Sequence, residues 1–249
     1  TLIITEGESA KALAIAGLEV VGREKYGVLS IQGKMINAVN SRRNVFENKE
    51  VLRFCQALGL STNKKYANGD ISSLRYGHIL IMTDQDPDGS HIKGLTINLL
   101  HKYWPNLLQV ENFIQQFTTP LIKVTGFLTN LNEEDKKKQK STLQFYSQQE
   151  YEVWKNEYLK VNGEQSLKNI TIKYYKGLGT STAAEGREYF RNLDLHIKNF
   201  VYGEETKKSI ELAFSPDFTE ERKKWLKEYE KSINDEIHIP PTQKNILYE

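Results

Sequence analysis

The chain predicts an α/β fold: a parallel sheet flanked by helices, with a helical extension at its C-terminal end. Three observations lead there. Short runs of β-branched and aliphatic residues alternate with helical periods from residue 2 to residue 103, two of those runs open straight into carboxylates, and from residue 183 onward the periods are helical.

Taken in order, Leu2-Ile3-Ile4-Thr5 reads as a buried strand. It is followed by Glu6-Gly7-Glu8-Ser9, where Gly7 allows a sharp turn and Ser9 serves as the N-cap of a helix over 9–16. A strand over 26–31, a helix over 48–58, a strand over 79–83 and a helix over 90–103 continue the alternation, which right-handed crossovers turn into a parallel sheet. Trp104-Pro105 ends the last helix, since the residue before proline disfavours the α region. Strands over 121–124, 143–146 and 170–175, with a helix over 148–159, are expected to extend the same sheet. Between them, Asn132-Glu133-Glu134-Asp135-Lys136-Lys137-Lys138-Gln139-Lys140 carries charge without apolar period and reads as a mobile hairpin tip. Helices over 183–193, 204–213 and 219–231 supply the extension, and Ile239-Pro240-Pro241 reads as an extended exit. The resulting plan is an α/β core over 1–125, a charged insertion over 126–142, a continuation of the core over 143–215 and a helical extension over 216–249.

Composition bounds the partners. With 34 basic against 32 acidic side chains the net charge is +2, so any affinity for nucleic acid has to come from local patches. Hydropathy offers no run long enough to span a bilayer, no secretory signal is read at the start, and no membrane partner is expected. Thr1 leads directly into a strand, and the chain is expected to be part of a larger protein. The single cysteine, Cys55, excludes a disulfide framework and a cysteine zinc site, fits a reducing compartment, and reads as an inert core thiol. The histidines His78, His91, His101, His196 and His238 show no metal-ligand spacing. His91 alone follows an acidic loop, in reach of a phosphate or sugar oxygen or else satisfied by backbone at a helix start.

That loop is the most telling segment. In Ile79-Leu80-Ile81-Met82-Thr83-Asp84-Gln85-Asp86-Pro87-Asp88-Gly89-Ser90-His91-Ile92, an apolar strand opens into three carboxylates at alternate positions, where open α/β sheets place their ligand crevices. Mg²⁺ wants oxygen ligands and keeps several waters, so two or three converging carboxylates suffice. An EF-hand loop would match Asp84, Asp86, Asp88 and Gly89, but its bidentate Glu position is Leu95 and an apolar strand, not a helix, enters it. A solvated acidic turn remains the other plain reading. Glu6 ends the first strand as Asp84 ends this one, so parallel neighbours would bring both to one rim of the sheet. Alone, Glu6 could equally serve the helix dipole, a role that suits Glu8 better.

Glu6-Gly7 with Ser9-Ala10-Lys11, and Asp84-x-Asp86-x-Asp88-Gly89, resemble the metal-binding motifs of the TOPRIM domain. Ile31-Gln32-Gly33-Lys34-Met35-Ile36-Asn37, the run from Thr83 through Gly94, and Lys173-Tyr174-Tyr175-Lys176-Gly177-Leu178-Gly179-Thr180-Ser181-Thr182 narrow the resemblance to type IIA DNA topoisomerases of eukaryotic type. The blocks stand in family order from Leu2 to about Phe214, with a weaker one at Glu221-Arg222-Lys223-Lys224-Trp225-Leu226. Glu8 stands where the family motif usually has Asp, and the connection over 126–142 is longer than the family's usual one.

The resemblance implies a TOPRIM core and double-strand passage by an ATP-dependent enzyme, with Mg²⁺-assisted phosphoryl transfer to a tyrosine. Glu6 and Asp84 would hold the catalytic Mg²⁺, and Asp84 and Asp86 a second that anchors DNA. Asp88 would act through water or by shaping the loop, and Mn²⁺ or Ca²⁺ could substitute in binding. Lys34, Asn37, Arg222 and Lys223 match positions that touch DNA, His91 and Lys176 are further candidates, and the Lys176 block buttresses the metal site. The nucleophilic tyrosine follows an arginine in a winged-helix domain outside this chain, and ATP binds in another domain outside it. The pair Arg75-Tyr76 does not supply the nucleophile, since some seven extended residues at about 3.3 Å each hold Tyr76 roughly 20 Å from the metals. Double-stranded DNA, the winged-helix domain of the same protein, a full-length homodimer and a nuclear location follow from the same resemblance. Two alternatives stay open: the TOPRIM domain of a bacterial gyrase or topoisomerase IV B subunit, whose glycine block continues differently from Thr180-Ser181-Thr182, and a non-catalytic, metal-dependent DNA-binding module.

Overall fold

The computed structural model describes residues 1–42, 44–126 and 141–236. Its centre is a five-stranded sheet in the order β2-β1-β3-β4-β8, from β1 (Leu2–Glu6), β2 (Gly27–Ile31), β3 (Ile79–Met82), β4 (Ile114–Phe117) and β8 (Ile197–Asn199). β1 lies parallel between β2 and β3, with Thr5 opposite Met82, and β8 closes the far edge antiparallel to β4. The apolar runs split by face. Leu2, Ile4, Ile79 and Ile81 join one core, whereas Ile3, Leu80 and Met82 join the other, so both faces are covered as a parallel sheet requires.

α2 (Lys49–Leu58), α3 (Pro87–Tyr103) and α4 (Pro105–Leu108) cover the first face through Phe54, Leu58, Leu95, Leu99, Leu100, Trp104 and Leu107. α1 (Gly7–Val21) and α6 (Ala183–Arg191) cover the second, with Leu13, Leu18, Tyr189 and Phe190 buried beneath them. The two helices approach closely because a Cβ at Gly17 would collide with Phe190 and one at Gly186 with Leu13. Helix α1 starts at Gly7, with Glu6 in the N-cap position and no side-chain cap bond, which corrects the assignment of Ser9 as the cap. Gly7 adopts φ +70°, and that left-handed turn replaces the expected serine cap.

The strands expected over 121–124, 143–146 and 170–175 do not extend the central sheet. β5 (Ile122–Gly126), β6 (Ser141–Phe145) and β7 (Ile170–Tyr174) form their own antiparallel sheet in the order β6-β5-β7, packed on α5 (Gln148–Asn162) through Ile122, Val124, Phe145 and Tyr151. The central sheet is extended instead by β4 and β8. The chain continues through α7 (Leu193–His196), α8 (Glu204–Phe214) and α9 (Thr219–Glu236). Residues 127–140, which hold most of the charged insertion, and 237–249, which hold the Ile239-Pro240-Pro241 exit, fall outside the described residues. Among those described, no helix is long and apolar enough to cross a membrane. Cys55 is buried, and burial pushes its thiol up to about 11, consistent with an inert core residue.

Candidate metal centre

The acidic residues meet at the carboxyl rim of the central sheet. Glu6 ends β1, and Asp84 follows β3 by two residues on the neighbouring strand, so the pairing of Thr5 with Met82 puts them side by side. Burial first, then the charges of Asp84 and Asp86, raise the Glu6 carboxyl above its ordinary range, against the pull of the Asp84 N–H. Its Oε2 is buried and has no hydrogen-bond partner. A buried, unpartnered carboxylate oxygen beside other acids is chemically suited to a cation as its partner.

Asp84 is held from the opposite side. The Leu178 N–H donates to its Oδ1 at 2.6 Å, and the Gly177 backbone passes so close that a Cβ there would overlap the carboxylate. Behind it, a Cβ at Gly89 would strike the Asp84 carbonyl. Asp86 caps α3 by accepting the Gly89 N–H at 2.7 Å, with Pro87 in the first turn, so the acidic loop is a strand-to-helix turn and not an EF-hand. Asp88, in the first helical turn, pairs with Lys34 Nζ at 2.6 Å, and that hydrogen bond and charge hold its carboxyl below the ordinary range. Among the described residues, no group of three or more His, Cys, Asp or Glu donors closes into a metal cage.

The structure separates the basic candidates into two kinds. Lys34, His91, Lys176 and Lys223 are exposed, although Lys34 is paired with Asp88 and Lys223 with Glu220 at 2.7 Å. Asn37 instead donates to the Phe214 carbonyl at 2.9 Å and accepts from Val39 N–H and Asn98 Nδ2, tying the segment after β2 to α3 and α8. Arg222 donates to the carbonyls of Leu212, Ala213 and Ser215 at 2.8, 2.9 and 3.1 Å, closing the C-terminal end of α8. Tyr76 reaches Gly27, at the amino end of β2, where a Cβ would overlap its hydroxyl. The sheet therefore stands between Tyr76 and the acidic rim.

One residue outside the sequence reading shapes this site. Glu185, in the first turn of α6, accepts from Lys173 Nζ at 2.9 and 2.8 Å, from the Tyr175 hydroxyl, and from Thr182 N–H at 2.8 Å and Oγ1 at 3.1 Å. Its only sequence trace is the capping-box spacing Thr182-x-x-Glu185. Burial pushes its carboxyl up, but the bonds from Lys173, Thr182 and Tyr175 outweigh that and bring it from 4.5 down to about 2. A lowered folded-state value stabilises the fold above pH 4.5, and that contribution is lost as pH falls from 4.5 to about 2. Undiscounted, the shift would carry roughly 3 kcal/mol, and solvent around the half-exposed Lys173 reduces it to about 1–2 kcal/mol. Urea unfolding from pH 6 to pH 2 should therefore show a loss that Glu185→Gln flattens; an unchanged pH slope would contradict this.

The comparisons agree with this architecture. The Toprim domain model matches residues 1–114, and the model of the C-terminal associated domain of TOPRIM matches residues 117–249. "DNA topoisomerase 2" of Pisum sativum is 49% identical over 232 residues, covering 92% of this chain and 15% of that protein. "DNA topoisomerase 2, mitochondrial" of Dictyostelium discoideum is 45% identical over 234 residues, 93% of this chain and 17% of that protein. A crystal structure of the Plasmodium falciparum topoisomerase II DNA-binding, cleavage and re-ligation domain superposes with a TM-score of 0.76 at 42% identity, over 90% of this chain and 28% of that one. The chain thus belongs to the TOPRIM family, and over nine-tenths of its length it is similar to part of the type II DNA topoisomerases. It spans about one sixth of the length of the curated relatives it matches.

Proposed function

We propose that this chain is the metal-binding part of the DNA cleavage and religation core of an ATP-dependent, type IIA double-strand passage enzyme. The observation that carries the reading is the pair of carboxylates at adjacent strand ends, with Glu6 Oε2 buried and unpartnered. Glu6 and Asp84 would hold the catalytic Mg²⁺, Asp84 and Asp86 a second, and Asp88 would join through water or shape the turn. A divalent cation held there would supply charge stabilisation for the oxygens and the phosphate of a phosphoryl transfer.

The chain's own residues orient that site. The Leu178 N–H fixes the Asp84 carboxylate, and the Asp86 cap fixes the start of α3. Exposed Lys34, His91, Lys176 and Lys223 offer charge or hydrogen bonds to the phosphates of double-stranded DNA without reading its sequence. Asn37 and Arg222, bound internally, serve by holding the segments that present these groups. The nucleophilic tyrosine belongs to a winged-helix domain of the same protein and the ATP site to another domain; the working form is a homodimer acting in the nucleus.

Full-length protein, incubated with supercoiled plasmid, Mg²⁺ and ATP and quenched with denaturant, should yield protein-linked linear DNA. Tight DNA binding with no covalent product at any Mg²⁺ concentration would favour a non-catalytic binding module. The division among basic residues makes a second expectation. Each lost phosphate contact removes about 0.9 from the slope of log affinity against log salt, so Lys34→Ala with Lys176→Ala should flatten it by up to about two. Arg222→Ala should leave the slope alone and lower stability by about 1–3 kcal/mol through its orphaned carbonyls. Fluorescence titrations at several salt concentrations, with parallel melts, check both; a flattened slope in the Arg222 variant would reassign it to DNA.

A further inference from the structure

Glu185 lies outside the acidic rim, yet it controls the loop that grips Asp84. The loop leaves β7 through Tyr175 and re-enters structure at Thr182, and the same carboxylate accepts from both, with Lys173 of β7 as a third anchor. Between these ends the chain is tied to itself. Thr180 and Ser181 N–H groups donate to the carbonyls of Gly177 and Leu178 at 3.1 Å, and Thr180 Oγ1 donates to Gly177 at 2.7 Å. A turn closed in this way moves as a unit when its ends move, and the Leu178 N–H moves with it. Helix α6, which carries Glu185, also packs on α1, whose first residue follows Glu6; Arg187 adds an ion pair to Glu19 at 3.0 Å. Both carboxylates are thereby framed from one helix.

We propose that Glu185 is a positioning residue for the metal site: by clamping both ends of the 175–182 loop it sets the Leu178 N–H and the Gly177 backbone against Asp84, and so fixes the orientation in which Asp84 meets a divalent cation. The inference rests on Glu6 and Asp84 being the metal ligands. A plain helix cap is a weaker account, because the cap needs only the bonds with Thr182, whereas Lys173 and Tyr175 belong to the strand side. Tyr175 is buried, its phenol is raised by burial and by the Glu185 bond, and its hydroxyl therefore stays a donor.

Glu185→Gln separates these accounts, since Gln retains a capping box while losing the charge that gathers Lys173 and Tyr175. Mn²⁺ titration of the chain by electron paramagnetic resonance, with hydrogen–deuterium exchange of the loop amides, supplies readouts independent of catalysis. The expected result is a fold unchanged by circular dichroism, Mn²⁺ affinity lower by about 10- to 100-fold, and faster exchange at 177–181. Lys173→Met should move both readouts in the same direction. Wild-type Mn²⁺ affinity in the Gln variant overturns the proposal, as does weaker affinity without faster loop exchange. Asp84→Asn keeps the two readings apart. If it abolishes Mn²⁺ binding while Glu185→Gln does not, the ligand assignment stands and the clamp fails; if it leaves Mn²⁺ binding intact, the ligand assignment fails and the clamp with it.

Discussion

Asp84→Asn and Glu6→Gln are each expected to reduce Mg²⁺-dependent DNA cleavage by the full-length protein at least about 100-fold, the scale of losing one preorganised electrostatic element at a reacting phosphate. Both substitutions keep shape and remove charge. Glu6→Gln removes a charge that burial already disfavours, so the fold should not suffer. In Asp84→Asn the amide oxygen can still accept the Leu178 N–H, which leaves the loop in place. Phosphate contacts from the exposed lysines remain, and DNA affinity should stay within a few-fold of wild type. Quantifying protein-linked DNA at saturating Mg²⁺ beside a binding titration checks both halves. Near wild-type cleavage by either variant would remove that residue from the metal site.

Gly177→Ala should be nearly as damaging by a steric route. Its backbone is extended, with φ −179°, a conformation open to any residue, so the glycine is required by space and not by dihedral angle. The added methyl would occupy the position of the Asp84 carboxylate, and either that side chain rotates away or the loop withdraws with the Leu178 N–H. A loss of about 10- to 100-fold in cleavage, with a raised Mg²⁺ requirement, is the expected outcome. Gly203→Ala is the matched control, because a Cβ there meets nothing within 4 Å. If Gly177→Ala cleaves as well as Gly203→Ala, the close approach of loop and carboxylate has no catalytic meaning.

The parts of this molecule legible in its sequence are those written in local pattern. β1 and β3 announce themselves as apolar runs ending in acids, and parallel pairing then brings Glu6 and Asp84 to one rim. The helical period places α3 from residue 90, whereas Asp86 caps it and Pro87 opens it, three residues inside what reads as the acidic loop. β4 escaped because Ile114-Gln115-Gln116-Phe117 shows two polar residues inside a four-residue strand, and β8 because Ile197-Lys198-Asn199 is too short for any period. The second sheet looked like more of the first, since β5, β6 and β7 have ordinary strand composition and nothing local states which edge a strand joins. The grip on Asp84 was beyond reach for a deeper reason. Leu178 lies 94 residues from its partner and contributes a backbone N–H, which leaves no side-chain signature. Arg222 and Asn37 show the converse, since their residue types suit phosphate contact while their positions bind them to carbonyls and amides of this chain.

On the proposed reading, Glu6 and Asp84 together bind a divalent cation at the rim of the sheet. Anomalous diffraction from crystals of the chain grown with Mn²⁺ tests it most directly. A peak at about 2.1–2.2 Å from a carboxylate oxygen of each, with water completing the shell, is the result expected for a small octahedral cation. Bound Mn²⁺ elsewhere on the chain, with the Glu6–Asp84 rim empty, would contradict it.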